Sequence, residues 1–284
     1  MPAKFSIARS MRKLANFPNI SVGGGDNLNK NFKINDLLLS WSIPITVLIF
    51  WYFLTIGQSS ASLFPPPGDV GKATIRLLKD GTLFQNIKIS SARAAVGFII
   101  GGLIGFSLGV ANGQFRLAEK VLNTPIQMIR NVPHLAALPL ILIWFGIGET
   151  AKIVLIILGT FFPIYLNTFH GIRYIDNSLI EMGKTYGLTQ YQLFKDIIFP
   201  GAMSSIMIGV RQSLGRMWLT LIVAETVAAK SGIGFMATNA REFMLMDVIV
   251  LSLIIYALLG SISDFVAGLL EKRILRWHSN YRKA

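Results

Sequence analysis

EMGKTYGLTQYQLFKDIIFP, residues 181–200, is the stretch on which the fold turns. It separates two apolar runs near residues 151–172 and 202–228, and its own composition favours helix except at its glycines. Gly187 divides it into two short helical pieces, because glycine takes left-handed turn geometry without a steric penalty. Pro200 is expected to end the second piece before the next apolar run begins. The pattern predicts a compact helical excursion of the chain between two long apolar helices.

Outward from this stretch the chain is poor in charge. Of its 284 residues 52% are hydrophobic and 14% charged, against about 25% charged in an ordinary soluble domain. Lipid is therefore the expected solvent. A crossing needs roughly 20 mostly apolar residues, and six stretches are expected to cross: near 37–57, 91–112, 132–146, 151–172, 202–228 and 246–270. The third is short and carries Pro133 and Pro139, so its start is expected to reach back toward Leu122. Cysteine is absent, which excludes disulfides and thiolate ligands.

The net charge of +13 fits either nucleic acid or anionic lipid, and placement decides between them. With both ends inside, 17 of the 27 Lys and Arg fall in cytoplasmic segments and seven in outer ones. That bias is the positive-inside pattern of a membrane protein, and it removes the need for a nucleic-acid partner. The organisation expected is a cytoplasmic tail over 1–36, a peripheral helix over 37–57, an outer amphipathic segment over 58–90, a five-helix core over 91–270 and a basic tail over 271–284. Trp41, Trp51 and Tyr52 are expected to anchor the first span at the interface. In the outer segment, Val70, Ala73, Leu77, Leu83, Phe84 and Ile87 recur at helical spacing after a Pro-Pro-Pro-Gly start.

Chemistry of its own is hard to find in the chain. SLIEMGKT at 178–185 approaches a phosphate-binding loop but lacks its first glycine, and it lies between two apolar runs rather than after a strand. His134, His170 and His278 have no zinc-site spacing. A secondary transporter, the competing class, needs deep relay carboxylates and often shows internal repeats; the chain has no convincing repeat and few deeply placed carboxylates.

Two patterns inside the spans carry physical meaning. Gly97, Gly101, Gly105 and Gly109, with Gly113, recur every four residues, so one helix face is bare enough for another backbone to pack against it. Arg211, Arg216 and Glu225 fall in the fifth span. A charge at such depth costs at least ~2.5 kcal/mol unless it is paired or wetted. They are therefore expected either to line a route for an anionic solute or to form internal ion pairs.

The stretch 181–200 resembles the signature loop of ABC importer permeases: Glu-Ala-Ala, three residues, Gly, nine residues, Ile, two residues, Pro. Glu181, Gly187, Ile197 and Pro200 match, while Met182 and Gly183 replace the alanines and Phe199 a leucine. Gly183 is expected to weaken the first helical piece by about 1 kcal/mol relative to Ala. The resemblance runs from about Phe64 onward. It is nearest to the aliphatic sulfonate branch through LPLILIWFG (138–146), FFPIYLNTFHGIR (161–173), WLTLIVAE (218–225), SGIG (231–234) and NAREF (239–243); taurine, nitrate and bicarbonate permeases share the architecture. It implies an all-α polytopic membrane protein with six transmembrane helices and the type I ABC importer permease fold, in the bacterial inner membrane. It also implies that Glu181, Met182, Gly183, Gly187, Leu188, Ile197 and Pro200 couple the spans to a separate ATPase. The implied assembly is a homodimer with two ATPase subunits and an external solute-binding protein. ATP and Mg would sit on the ATPases, and no cofactor on this chain.

Overall fold

The computed structural model describes residues 42–57 and 64–276, and among them every regular element is helical. The expectations for the tail 1–36, for Trp41 and for His278 lie outside the described residues. The chain divides into two units, Met1–Ile56 and Gly57–Ala284. In the first, α1 (Ser42–Leu54) is apolar but shorter than a full crossing. The part of the expected first span before residue 42 is again outside the described residues.

The second unit begins with α2 (Pro67–Lys79), started by a proline in its first turn, where the missing N–H costs nothing. α3 follows (Thr82–Gln114), then α4 (Arg116–Arg130), α5 (Leu138–Phe145) and α6 (Glu149–Arg173). After these come α7 (Asn177–Thr185), α8 (Gln190–Leu193), a π turn (Phe194–Ile198), α9 (Phe199–Ala228), α10 (Ile233–Glu242) and α11 (Met246–Ile274). Among the described residues, four stretches are long and apolar enough to cross a membrane alone: α3, α6, α11 and the continuous run Gln190–Val227 that contains most of α9.

α3 and α6 form the centre and run parallel. Gly97 lies against Ile156, Gly101 against Thr160, Gly105 against Phe161 and Tyr165, Gly109 against Thr168, and Gly113 against Ile172. A side chain at any of these glycines would strike α6: a Cβ at Gly105 would stand 2.6 Å from the Phe161 carbonyl oxygen. α9 packs antiparallel on the other side of α6, with Gly159 against Thr220 and Gly209 against Pro163 and Asn167. The two outer helices are thus drawn onto α6 at points where a side chain is missing on one partner.

The parallel arrangement forces the chain to travel back between α3 and α6, and here the structure departs from the expected third span. Residues 132–146 do not form one helix. Residues 131–137 are turns, and α5 has eight residues, about 12 Å of rise. The return is made in pieces. Ile126 of α4 packs beside Phe162 and Tyr165, whereas Leu138 and Ile141 of α5 reach Ala151, Leu155 and Ala224 at the far end. Pro133 and Pro139 supply the physical reason, since neither can donate the hydrogen bond that would carry a helix through this region.

Two other boundaries move. Residues 82–90, expected in the outer segment, are the first turns of α3, which extends past its apolar part. Of the expected amphipathic positions Val70, Ala73 and Leu83 are buried, but Phe84 is exposed. At the other end α11 continues to Ile274, inside the stretch expected to be tail, and residues 277–284 lie outside the described residues.

Candidate coupling surface and polar clusters

The stretch 176–200 folds as a tight hairpin of two short helices. Asp176 caps α7 by accepting a hydrogen bond from the Ser178 backbone N–H at 2.9 Å. That bond holds the Asp176 carboxyl below its ordinary range. α7 ends in a Schellman turn: Leu188 N–H donates to the Gly183 carbonyl (3.1 Å) and Gly187 N–H to that of Lys184 (2.9 Å). Gly187 supplies the required left-handed residue, with φ +78°. α8 then starts in a capping box, Thr189 and Gln192 bonding reciprocally.

Gly183 does not loosen this hairpin. It is buried, and the terminal methyls of Ile197, Leu193 and Leu188 close over it, so a Cβ there would meet the first two at 2.7 Å. The substitution expected to weaken the helix is the point where the two halves touch. Pro200 does not end the second half either. α8, the π turn and α9 form one continuous run, Gln190–Val227. Within it the Phe199 N–H donates to Phe194 O, five residues back. Because Pro200 has no N–H, the regular ladder cannot pass, and the wider turn absorbs the gap.

The hairpin keeps its apolar anchors inside and leaves a mixed surface out. Leu193 is buried, while Met182, Tyr186 and Tyr191 are exposed together with Glu181 and Lys184. Three large apolar or aromatic side chains on a hydrophilic tip make a surface suited to a protein partner.

The three charged residues of the fifth span do not gather in one place. Glu225 and Arg211 are 14 positions apart on α9, about 21 Å. Glu225 is 1% exposed and saturated with donors. Ser90 Oγ lies 2.8 Å from both its oxygens, Arg93 Nη1 donates at 2.7 Å, and Gly234 N–H and Tyr256 OH each donate at 2.9 Å. The Arg93 guanidinium also grips Glu149 with two 2.6 Å bonds, and buried Lys152 donates to Glu149 at 2.7 Å. Two cations thus meet two carboxylates, and the cluster ties α3, α6, α9, α10 and α11 at the end opposite the hairpin.

Its members Ser90, Arg93, Glu149 and Tyr256 were not singled out by the sequence. The available signals were Arg93 within an apolar run and the SGIG turn, where Gly232 has φ +108° and leaves no room for a Cβ beside Glu225 and Arg93.

Arg211 pairs with Asp264 of α11 through two bonds, at 2.5 and 2.7 Å, with Glu271 3.8 Å away. The pair is half-exposed, 49% and 51%. It lines a groove of about 880 Å³ between α9 and α11, with Gly215, Gly260 and Gly268 on its walls. Arg216 is exposed on the same helix and makes no ion pair among the described residues.

Residues 97–276 match the family of binding-protein-dependent transport system inner membrane components. The chain belongs to that family. A permease named for aliphatic sulfonate transport, SsuC of Escherichia coli (strain K12), is 52% identical over 85% of this chain and 92% of its own length. Its namesake in Bacillus subtilis (strain 168) is 38% identical over 84% and 87%. The taurine transport system permease TauC of Escherichia coli (strain K12) is 31% identical over 87% and 97%. Among solved structures, an amino acid ABC transporter chain superposes with TM-score 0.59 at 18% identity, covering 71% of this chain and 97% of that one, which shows a shared fold. As a component of a binding-protein-dependent transport system, this permease is a multi-pass membrane protein that works with an ATPase and a solute-binding protein.

Proposed function

We propose that this permease is the translocation subunit of a bacterial ATP-driven importer of aliphatic sulfonates, acting by alternating access. The observation that carries the proposal is the hairpin 176–200. It is rigidified by an N-cap, a Schellman turn and a capping box, and it continues without a break into α9. A displacement imposed on its tip by an ATPase would pass along one helix into the spans, because a rigid element transmits motion that a loose one absorbs. The 52% identity to a permease named for aliphatic sulfonates supports the solute class. Taurine, itself a sulfonate, is the second reading through the 31% identical relative.

In this proposal two copies form a homodimer in the inner membrane with both termini cytoplasmic and lipid around the outer faces. Two ATPases bind ATP and Mg, and the chain itself binds no cofactor and catalyses no reaction. ATP's higher affinity for the closed ATPase pair supplies the free energy that shifts the spans. Arg211 begins about 18 Å from the hairpin end of α9. Facing lipid, each charge at that depth would cost about 2.5–3.5 kcal/mol. The half-exposed pair with Asp264 therefore faces protein or water in the assembly, and we assign it to the wall of the pathway.

Gly187→Asp tests the coupling role. A Cβ at Gly187 meets nothing within 4 Å, and left-handed geometry costs a non-glycine residue only about 1–2 kcal/mol. The variant should insert and fold, yet lose sulfonate uptake while ATP is still hydrolysed. Uptake at the parental rate in proteoliposomes holding the whole complex would remove the assignment.

A further inference from the structure

A cavity of about 620 Å³ lies where the hairpin meets the ends of α3 and α6. Its polar lining comes from Gln114, Arg116, Arg173, Asn177, Lys184 and Gln190, and among the described residues no carboxylate contributes to it. Arg173 pairs at 3.1 Å with Glu119, which is not among the residues lining the cavity. Arg116 and Lys184 are exposed and make no ion pair among the described residues. The cavity thus keeps a surplus of two positive charges. Arg116 is the first residue of α4. Guanidinium, ammonium and amide groups converging on a space without acceptor charge fit one chemistry, a multiply hydrogen-bonding anion.

We propose that this cavity binds an oxyanion, a sulfonate or phosphate group, that bridges Lys184 of the hairpin to Arg116 and Arg173 at the ends of the spans. The assignment of a role to it rests on the hairpin being the coupling element. A bound anion would join the moving piece to the piece it moves, so its occupancy would set how firmly the two are connected. Two sources carry the group: a free sulfonate delivered by import, or the phosphate of an anionic lipid headgroup.

The test uses the purified complex of permease and ATPases without its solute-binding protein. Methanesulfonate binding is measured by calorimetry in neutral detergent. Retention of phosphatidylglycerol from mixed phosphatidylcholine discs is measured by native mass spectrometry. At least one probe should bind saturably, and Arg116→Gln and Lys184→Gln should each weaken it by about tenfold, the scale of one lost charge-assisted hydrogen bond. Arg116→Lys should restore part of the loss. Which probe responds identifies the source.

Saturable binding of neither probe, or binding indifferent to both substitutions, overturns the proposal. So does binding to the isolated permease that vanishes in the complex, which would mean that an acidic segment of the ATPase fills the cavity. Sulfonate uptake by the unsubstituted complex, reconstituted with its solute-binding protein in proteoliposomes, is measured in parallel. Intact uptake with no binding rejects the anion site alone, whereas absent uptake rejects the importer reading beneath it.

Discussion

Replacing Gly105 with alanine should push the central helix pair apart. The added Cβ would stand 2.6 Å from the Phe161 carbonyl oxygen and 3.2 Å from the Tyr165 nitrogen. Both are backbone atoms of α6, so no side chain can rotate away. Restoring an ordinary contact requires α3 and α6 to separate locally by roughly half an ångström or more. Overpacking of this kind costs about 1–3 kcal/mol. The exchange also gains about 1 kcal/mol of helix propensity, so a control is needed that shares the gain without the clash. Gly71 lies inside α2 and a Cβ there meets nothing within 4 Å. The difference between Gly105→Ala and Gly71→Ala therefore isolates the contact. At about 2–4 °C per kcal/mol for a chain of this size, the first variant should melt roughly 2–12 °C below the second. Thermal unfolding of the detergent-solubilised permease, followed by intrinsic fluorescence, measures it. Coincident melting curves would show that α3 and α6 do not depend on close backbone approach at Gly105, and the packing argument would fail.

Other consequences are equally specific. Glu225→Ala strips Arg93, Gly234 and Tyr256 of a shared acceptor at 1% exposure and should cost about 3–5 kcal/mol, the usual penalty for breaking a buried pair. Unchanged melting would contradict it. Because the Asp176 carboxyl titrates below its ordinary value in the folded chain, its cap is in place above about pH 4 and is lost as the pH falls through the lowered value. Protection of the Ser178 amide, its exchange rate relative to that of an unstructured amide at the same pH, should be lost on acidification, and Asp176→Asn, which can still accept the bond, should abolish that dependence. Arg211→Gln should leave Asp264 unpaired in the groove and slow solute uptake. Unchanged uptake kinetics would exclude a pathway role for the pair.

The parts of the fold visible in the sequence are those set by local pattern. The glycines at every fourth position of α3 announced a bare helix face, and four of the expected spans exist as long apolar helices. The hairpin's turn was legible at Gly187 because only geometry, not context, places a glycine there. What stayed hidden depends on partners distant in sequence. For Glu225 the sequence leaves open a place on the solute path or an internal ion pair, because Ser90 and Arg93, which enclose it, lie more than 130 positions away. Gly183 read as a weak helix residue because the methyls covering it come from the other half of the hairpin. Pro200 read as a stop because the π turn that accommodates it leaves no mark in composition. The third span was visible as an apolar run, but its break at 131–137 reflects the demand that the chain return between two parallel helices.

The central claim, an ATP-driven importer whose cargo is an alkanesulfonate, is tested most directly by the solute dependence of ATP hydrolysis. The permease, its ATPases and its solute-binding protein would be reconstituted together in proteoliposomes. Alkanesulfonates should stimulate hydrolysis severalfold and enter the vesicles, while nitrate and bicarbonate leave the basal rate unchanged. Stimulation by nitrate with sulfonates inert would contradict the solute assignment, and sulfonate uptake independent of ATP would contradict the mechanism itself.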